Sequence, residues 1–500
     1  MRYTFQLTLL LLATFGSLFS YAQTTPQQAI AQMGRGINLG NTLDDPLGYG
    51  KTWGNLAKEE LFESYATAGF TCVRIPITWN AHTGTEAPYT VDETFLDHVE
   101  EVVAWAQERN LWVIINSHHE DWLFEDPSQE NFDRLDSIWS QVAMRFKDHS
   151  DSLVFEILNE PRTVDDALTQ TQVDDLQFRI LDIIRETNPT RKVIIGGMGW
   201  ANKADLVKMK IPEDDYIIGY FHSYDPWDFA GEGNGSWGTT SDVNQLKSEF
   251  EVVADWSAEN NVPVLLGEFG ARTRADFNDR MYWYAMYVET ALENGFAFTT
   301  WDDNGWFQVL KRSSLTWTTP KDILVNFSSE NPSELKLNNY NADSIKIEWT
   351  NRVEDYDSIY IQRGITSTSF ENIATVDEGV SAFVDKDLVQ KKTYYYRVVA
   401  VQNGTTLLMS YPQQIKADFT PETALKSFSS EFSLYPNPTK DLIYLEKTVA
   451  SIEVNLLNGD SVARFKDANT VDLSLVKAGI YILKIELLNG DIYREKIIKQ

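Results

Sequence analysis

Two glutamates, Glu160 and Glu268, each close a short apolar run: residues 153–158 lead into Asn159-Glu160-Pro161, and residues 262–266 into Gly267-Glu268-Phe269-Gly270. A buried strand has no structural need for a carboxylate at its end. Five more apolar runs also carry polar chemistry at or near their ends. Residues 36–39 hold Asn38 and lead to Asn41, residues 72–75 hold Arg74, and residues 111–115 lead into Asn116-Ser117-His118-His119-Glu120. Residues 216–220 lead to His222-Ser223-Tyr224, and residues 296–300 into Trp301-Asp302. Paired carboxylates are the minimum equipment for glycoside hydrolysis. One must stay protonated to donate to the leaving oxygen, the other ionised to attack the anomeric carbon, and their neighbours set that difference. A cation such as Arg74 beside one carboxylate would keep it ionised. The plainer alternative is that both glutamates form ordinary ion pairs at a domain rim.

The elements that must position these residues follow from the pattern between them. The eighth short apolar run is residues 193–195, and amphipathic stretches separate all eight, for example Leu96, Val99, Val103 and Ala106 at helical spacing. Strands alternating with helices imply parallel pairing through crossovers. Eight such units between residues 34 and 301 predict an α/β fold of the (β/α)8 TIM barrel type. A doubly wound open sheet is the runner-up, but no Gly-rich nucleotide turn follows any strand. Barrel sites form at the C-terminal ends of the strands, where the polar residues above fall.

From residue 34 to residue 306 the chain resembles glycoside hydrolase family 5. The resemblance rests on Gly36-Ile37-Asn38-Leu39-Gly40-Asn41, Val73-Arg74-Ile75-Pro76, His118-His119, Leu158-Asn159-Glu160-Pro161, His222-Ser223-Tyr224, Gly267-Glu268-Phe269-Gly270 and Trp301. It implies a retaining enzyme with Glu160 as acid/base and Glu268 as nucleophile. Asn159 would bind the sugar 2-hydroxyl, while Arg74 and Tyr224 would hold Glu268 ionised and aimed. His118 and His222 would line the −1 subsite, with Trp301 as its platform, and Asn38 would join the substrate-binding set. The family often has a non-proline cis peptide after this Trp. No cofactor is implied.

His118-His119-Glu120-Asp121 suggests a metal site at first sight. Adjacent residues on an extended strand point to opposite faces, so the two histidines are not expected to share an ion, and no metal is predicted. Trp53, Trp79, Trp122, Trp200, Trp227, Trp237 and Trp306 fall in or beside the expected top loops. Aromatic faces stack on pyranose rings, so such a row suits a long glycan, although burial explains any single one equally well.

The 500 residues carry a formal charge of −30, with 49 acids against 23 bases in residues 23–326. That balance argues against sustained binding to nucleic acid or anionic membranes, which both want basic surface. The 15 Trp, 22 Tyr and 26 Phe exceed the needs of a core of this size and point toward sugar. A single cysteine, Cys72, rules out an intrachain disulfide, and its apolar neighbours predict a buried strand residue. Residues 1–22 read as a cleaved signal peptide.

Two small all-β domains are expected after the catalytic domain of residues 23–326. Residues 328–334 read as a linker. Residues 335–417 show short regular strands, with Trp349 and the Tyr394–Val399 segment resembling a fibronectin type III domain. A second linker near residues 420–429 precedes residues 430–500. There Tyr435-Pro436-Asn437-Pro438, Ala478-Gly479-Ile480-Tyr481 and the basic tail resemble the sorting domain of the type IX secretion pathway of Bacteroidetes. The resulting expectation is a monomeric, secreted or surface-held retaining endo-β-glycanase, foremost an endo-β-1,4-glucanase. Its partners would be a β-glucan substrate and the secretion machinery. A β-mannanase, xyloglucanase or licheninase would use the same residues. A non-catalytic glycan-binding barrel, or an adhesin built on the β domains, is the rival from another class.

Overall fold

The structure is a computed structural model that describes residues 23–46, 52, 54–165, 167–341, 343–419, 433–457, 459–488 and 492–500. The expected signal peptide, Trp53 and the second linker lie outside the described residues. The chain divides into two compact units. The first comprises residues up to 337, 347–383 and 393–415; the second comprises 338–346, 384–392 and 416–500.

In the first unit eight parallel strands close into a barrel in chain order: β1 (Arg35–Asn38), β2 (Cys72–Ile75), β3 (Trp112–Asn116), β4 (Leu153–Glu156), β5 (Val193–Gly196), β6 (Ile217–His222), β7 (Val264–Glu268) and β8 (Ala297–Thr300). Closure is by Gly36 against both Cys72 of β2 and Thr299 of β8. All eight expected strands are present. The ends differ: β4 stops at Glu156, four residues short of Glu160, while β6 runs on to His222 and β7 includes Glu268.

The strands read as unbroken apolar runs because both their faces are buried. Cys72, Ile114, Val154, Ile194, Ile218, Tyr220 and Leu265 fill the interior, together with Ala29, Ile30 and Met33 of the helix Pro26–Met33. That helix leads directly into the start of β1, so it plugs the N-terminal end and leaves the other end open. Alternate residues Ile37, Val73, Ile75, Val113, Ile115 and Phe155 pack outward against the helices. The longer outer helices are Glu59–Ala68, Glu93–Gln107, Gln129–Arg145, Gln170–Thr187, Thr240–Asn260 and Phe277–Glu293. Thr169 and Thr239 start two of them with reciprocal capping boxes. Cys72 is fully buried, as its neighbours implied, and burial pushes its thiol pKa up. Among the described residues no helix is long and apolar enough to cross a membrane.

A short hairpin, β9 (Leu310–Lys311) and β10 (Thr316–Trp317), follows the barrel. Next come β11 (Ser333–Asn341), β12 (Ser344–Thr350), β13 (Ser358–Thr366), β14 (Ser369–Asp377), β15 (Ala382–Asp385), β16 (Thr393–Gln402), β17 (Thr405–Met409) and β18 (Gln413–Lys416). They form sheets in the orders β11-β12-β15 and β14-β13-β16-β17, with β18 against β16. The segment expected as a linker is anchored. Asn331 and Ser333 are buried, Asn331 Nδ2 donates to the Met409 carbonyl at 2.8 Å, and Arg352 Nε donates to the Asn331 carbonyl at 2.8 Å. Its polar composition looked like solvent exposure, but those side chains satisfy each other and the neighbouring backbone.

In the second unit, β19 (Leu434–Tyr435), β20 (Leu442–Asn455), β21 (Ser461–Asp472), β22 (Gly479–Glu486) and β23 (Ile492–Lys499) form one antiparallel sheet, ordered β19-β20-β22-β23 with β21 on β20. Tyr481, Leu483 and Ile485 alternate into a core with Ile443, Val454 and Ile497. Asn437 ties the Tyr-Pro-Asn-Pro start to the chain end: its Nδ2 donates to the Lys496 carbonyl and its Oδ1 accepts from Ile498 N, at 2.8 and 2.9 Å.

Candidate active site

At the open end of the barrel a cleft of about 1060 Å³ is lined by His118, His119, Asn159, Glu160, His222, Tyr224, Glu268 and Trp301, with Trp200, Trp227 and Trp306 at its edges. A carboxylate oxygen of Glu160, one of Glu268 and a ring nitrogen of His222 lie within 4.8 Å of one another. The two glutamates differ in company. Glu268 Oε1 accepts from Arg74 Nη1 and its Oε2 from the Tyr224 hydroxyl, both at 2.8 Å. Glu160 has neither donor; its Oε1 sits 2.8 Å from Nδ1 of His222.

Electrostatics follow from that company. Burial raises Glu160 to about 7, against which the more distant Arg74 and Arg162 act only through space. Burial also raises Glu268, while His222, Arg74 and the Tyr224 hydrogen bond pull it back. Burial lowers His222 to about 4 and holds His118 well below the usual range, so both rings are neutral near pH 7.

Beneath the cleft lies a polar floor. Arg74, wholly buried, donates through Nε and Nη2 to the two oxygens of Glu156 at 2.7 and 2.6 Å. The same guanidinium reaches Asn38 Oδ1 at 2.9 Å and Asn159 Oδ1 at 2.7 Å. Asn159 Oδ1 is thereby engaged, which leaves its amide hydrogens for the cleft. Asn38 does not line the cleft: its Nδ2 donates to the carbonyls of Gly267, Thr299 and Thr300 within 3.2 Å, and it braces Arg74 from below. Arg74 likewise acts from the floor, not from the wall.

Trp301 stacks parallel to His118, with ring centroids 5.7 Å apart, and the Trp301–Asp302 peptide is cis. Two glycines make room for it. A Cβ on Gly270 would lie 2.3 Å from the Trp301 carbonyl oxygen, and one on Gly40 would lie 3.0 Å from the indole ring. Of the seven tryptophans expected near the cleft, Trp200, Trp227 and Trp306 line it and are 58%, 55% and 69% exposed. Trp200 projects from left-handed backbone at φ 59°, next to Gly199 at 66°. Trp79 and Trp237 are instead buried in the core, where the Trp79 indole N–H donates to the Asn116 carbonyl. Trp122 is half-buried beneath the Arg134 guanidinium.

The two histidines do not diverge as expected. β3 ends at Asn116, so His118 and His119 leave the extended strand, and both face the cleft with ring centroids 4.5 Å apart. With Asp44 they bring three metal-donor atoms within 4.8 Å of one another, as do Glu160, His222 and Glu268. Sequence reasoning also missed Glu156 and Tyr220. The first is a lone acid inside the run 153–158; the second sets its hydroxyl 2.5 Å from the carbonyls of both Leu158 and Asn159, fixing the turn that carries Glu160.

Comparison with known proteins gives the same fold. The family model described as "Cellulase (glycosyl hydrolase family 5)" matches residues 34–305, and one described as "Secretion system C-terminal sorting domain" matches residues 433–500. Endoglucanase H of Acetivibrio thermocellus is 47% identical over 282 residues, which are 56% of this chain and only 31% of that protein. Endoglucanase A of Ruminococcus albus is 33% identical over 326 residues, 58% of this chain and 89% of that protein. Among solved structures, a hyperthermophilic endo-β-1,4-glucanase in complex with substrate matches at 36% identity and TM-score 0.58, covering 60% of this chain and 99% of the other. Endoglucanase Cel5A of Thermotoga maritima matches at 33% identity, with the same TM-score and coverage. On the family match, which spans the barrel and its cleft, the chain belongs to glycosyl hydrolase family 5.

Proposed function

We propose that the protein is a secreted endo-β-1,4-glucanase acting by retaining double displacement. The observation that carries the reading is the Glu160–Glu268 pair. Two carboxylates this close suit direct attack by one of them, since inverting enzymes need room for an intervening water. Their partners divide the roles. Glu268, held by Arg74 and Tyr224, is the nucleophile that attacks the anomeric carbon. Glu160, raised by burial to about 7, donates its proton to the leaving glycosidic oxygen. In the second half it takes a proton from the water that releases the glycosyl group. Asn159 offers its amide to the sugar 2-hydroxyl, and Trp301 supports the ring.

The endoglucanase relatives and the exposed tryptophans along an open cleft support internal cleavage of a β-1,4-glucan chain. One chain supplies every group named here, so a monomer suffices. We also read the middle sheets as a fibronectin type III-like module, and the C-terminal sheet as a type IX sorting signal. That signal would take the protein across the outer membrane and be removed there. The experiment is to assay the secreted enzyme on carboxymethylcellulose, glucomannan, xyloglucan and mixed-linkage glucan. The expected result is a rapid viscosity fall on carboxymethylcellulose with few reducing ends. Cleavage of glucomannan alone, or binding without cleavage, would overturn the assignment.

A further inference from the structure

Helix Phe277–Glu293 carries two separate sets of contacts. At about 100° per residue, Arg280, Trp283, Tyr284 and Tyr287 cluster on one face, and Asn278, Tyr282 and Glu289 on the opposite one. The first face holds the cleft loops. Arg280 donates to the carbonyls of Ala271 and Phe307 at 2.8 and 2.7 Å, and the Tyr284 hydroxyl accepts from Ala271 N at 3.1 Å. Trp283 Nε1 donates to the Asp225 carbonyl at 2.9 Å. The Tyr287 hydroxyl lies 2.9 Å from Ser223 Oγ and accepts from Asp225 N at 3.1 Å. The segment Ser223-Tyr224-Asp225 is thus clamped on both sides of the tyrosine that donates to Glu268.

The opposite face meets the middle β region. Asn278 Nδ2 donates to the Gln414 carbonyl at 2.9 Å, and Gln414 N donates back to Asn278 Oδ1 at 2.7 Å. Arg352 Nη1 donates to the buried Glu289 carboxylate at 2.8 Å. Tyr282 packs on Tyr411, which is itself buried in the hydrophobic cluster of the barrel beside Phe327. A spacer on a flexible tether would share neither core residues nor buried ion pairs with its neighbour.

We propose that the middle β module is a positioning brace for the catalytic face: by fixing the outer side of helix Phe277–Glu293, it fixes the Ser223–Asp225 loop and hence the Tyr224 hydroxyl on Glu268. The proposal rests on the role assigned to Glu268 above. Arg352, Asn278 and Tyr411 are positioning residues; none lines the cleft.

The test uses the full chain with Arg352→Ala and Asn278→Ala made separately, Arg352→Lys as the conservative variant, and Glu371→Gln on β14 as the control. Amide exchange is followed across residues 223–225 and 277–293, and kcat/KM is measured against pH. Exchange at 223–225 should speed up in both alanine variants, and the acidic limb should move to higher pH, since loss of the Tyr224 donor raises the pKa of Glu268. Loss in kcat/KM of about tenfold is expected at the original optimum, with partial recovery in Arg352→Lys and none of these changes in the control. Faster exchange within the module, with residues 223–225 and the acidic limb unmoved, would leave it a spacer and overturn the proposal. Global unfolding of one alanine variant leaves the other to decide. Wild-type protein without glucanase activity would sink the functional reading, while the exchange at 223–225 would still decide whether the module braces the loop.

Discussion

Arg74 and Glu156 form a bidentate, fully buried ion pair directly under the two cleft glutamates. The Arg74 face best suited to a carboxylate is therefore turned away from Glu268, which receives a single bond from Nη1. Glu268 is restrained but not neutralised. Glu156→Gln should leave Arg74 with one carboxylate where it had two. A stability loss of about 3 kcal/mol in urea unfolding is expected, because the buried guanidinium loses its bidentate ion pair and keeps only the single carboxylate bond to Glu268. The freed guanidinium should also turn toward Glu268, lowering the acidic limb of kcat/KM. An unchanged unfolding midpoint would show that Glu156 contributes nothing to holding the floor.

Substitution of the two glutamates should separate their roles. Glu268→Gln is expected to lose about 10³-fold or more on every substrate, because no other group can form the glycosyl bond. Glu160→Ala should lose as much on carboxymethylcellulose, yet retain the first step on aryl cellobiosides whose leaving groups need no proton. Azide, which attacks without a general base, should then restore turnover and give a β-glycosyl azide. An α-configured product would rule out double displacement.

The pH profile has a sign that the cleft dictates. Activity needs Glu268 ionised and Glu160 protonated, so the alkaline limb should fall near pH 7, where Glu160 releases its proton. Tyr224→Phe removes a donor that lowers the pKa of Glu268, so its acidic limb should move upward and the optimum should narrow. An acidic limb that stays in place in this variant would mean that the hydroxyl does not govern ionisation.

The eight strands were legible because a parallel barrel buries both faces of each strand, which leaves a run of apolar residues with polar residues at one end. Glu160, Glu268, Tyr224 and Trp301 could be read from those ends. Glu156 could not, because a lone acid inside an apolar run gives no sign of its partner until Arg74, 82 residues away, is seen beside it. His119 was misjudged for a local reason: the alternation of strand side chains stops where the strand stops, at Asn116. Trp79 and Trp200 look alike in sequence, yet an indole N–H satisfied by Asn116 buries one, and a left-handed backbone turns the other into the cleft. The polar segment 328–334 looked like a tether because composition cannot show that Asn331 is answered by Arg352 and Met409.

The exposed tryptophans should act on the polymer more than on the bond. Trp200→Ala, Trp227→Ala and Trp306→Ala are each expected to raise KM on long glucans, by about tenfold for a stacking loss of one to two kcal/mol, with kcat on aryl cellobiosides little changed. Trp306 carries the Arg272 guanidinium 3.9 Å from its ring, so Arg272→Ala should weaken binding through that platform as well. Trp79→Ala should instead lower the thermal midpoint, since its ring is fully buried. Equal effects of Trp79 and Trp200 on KM would contradict this division.

The Glu160 site should also show in stability. Its pKa rises from an ordinary 4.5 to about 7 on folding, so the folded chain holds a proton that the unfolded chain has released. Between pH 4.5 and about 7 the unfolded state binds fewer protons, and the contribution of this group to stability declines as pH rises through that window. Below pH 4.5 both states are protonated and nothing is lost. Glu160→Gln removes the titration while keeping the shape of the neutral acid. Its thermal midpoint should therefore match wild type near pH 4 and exceed it at pH 8, by a modest margin because a quarter of the Glu160 side chain is open to solvent. Melting curves of the two proteins at pH 4, 6 and 8 give the result directly. A gap that does not change with pH would show that Glu160 is not held protonated, and would remove the basis for assigning it the acid.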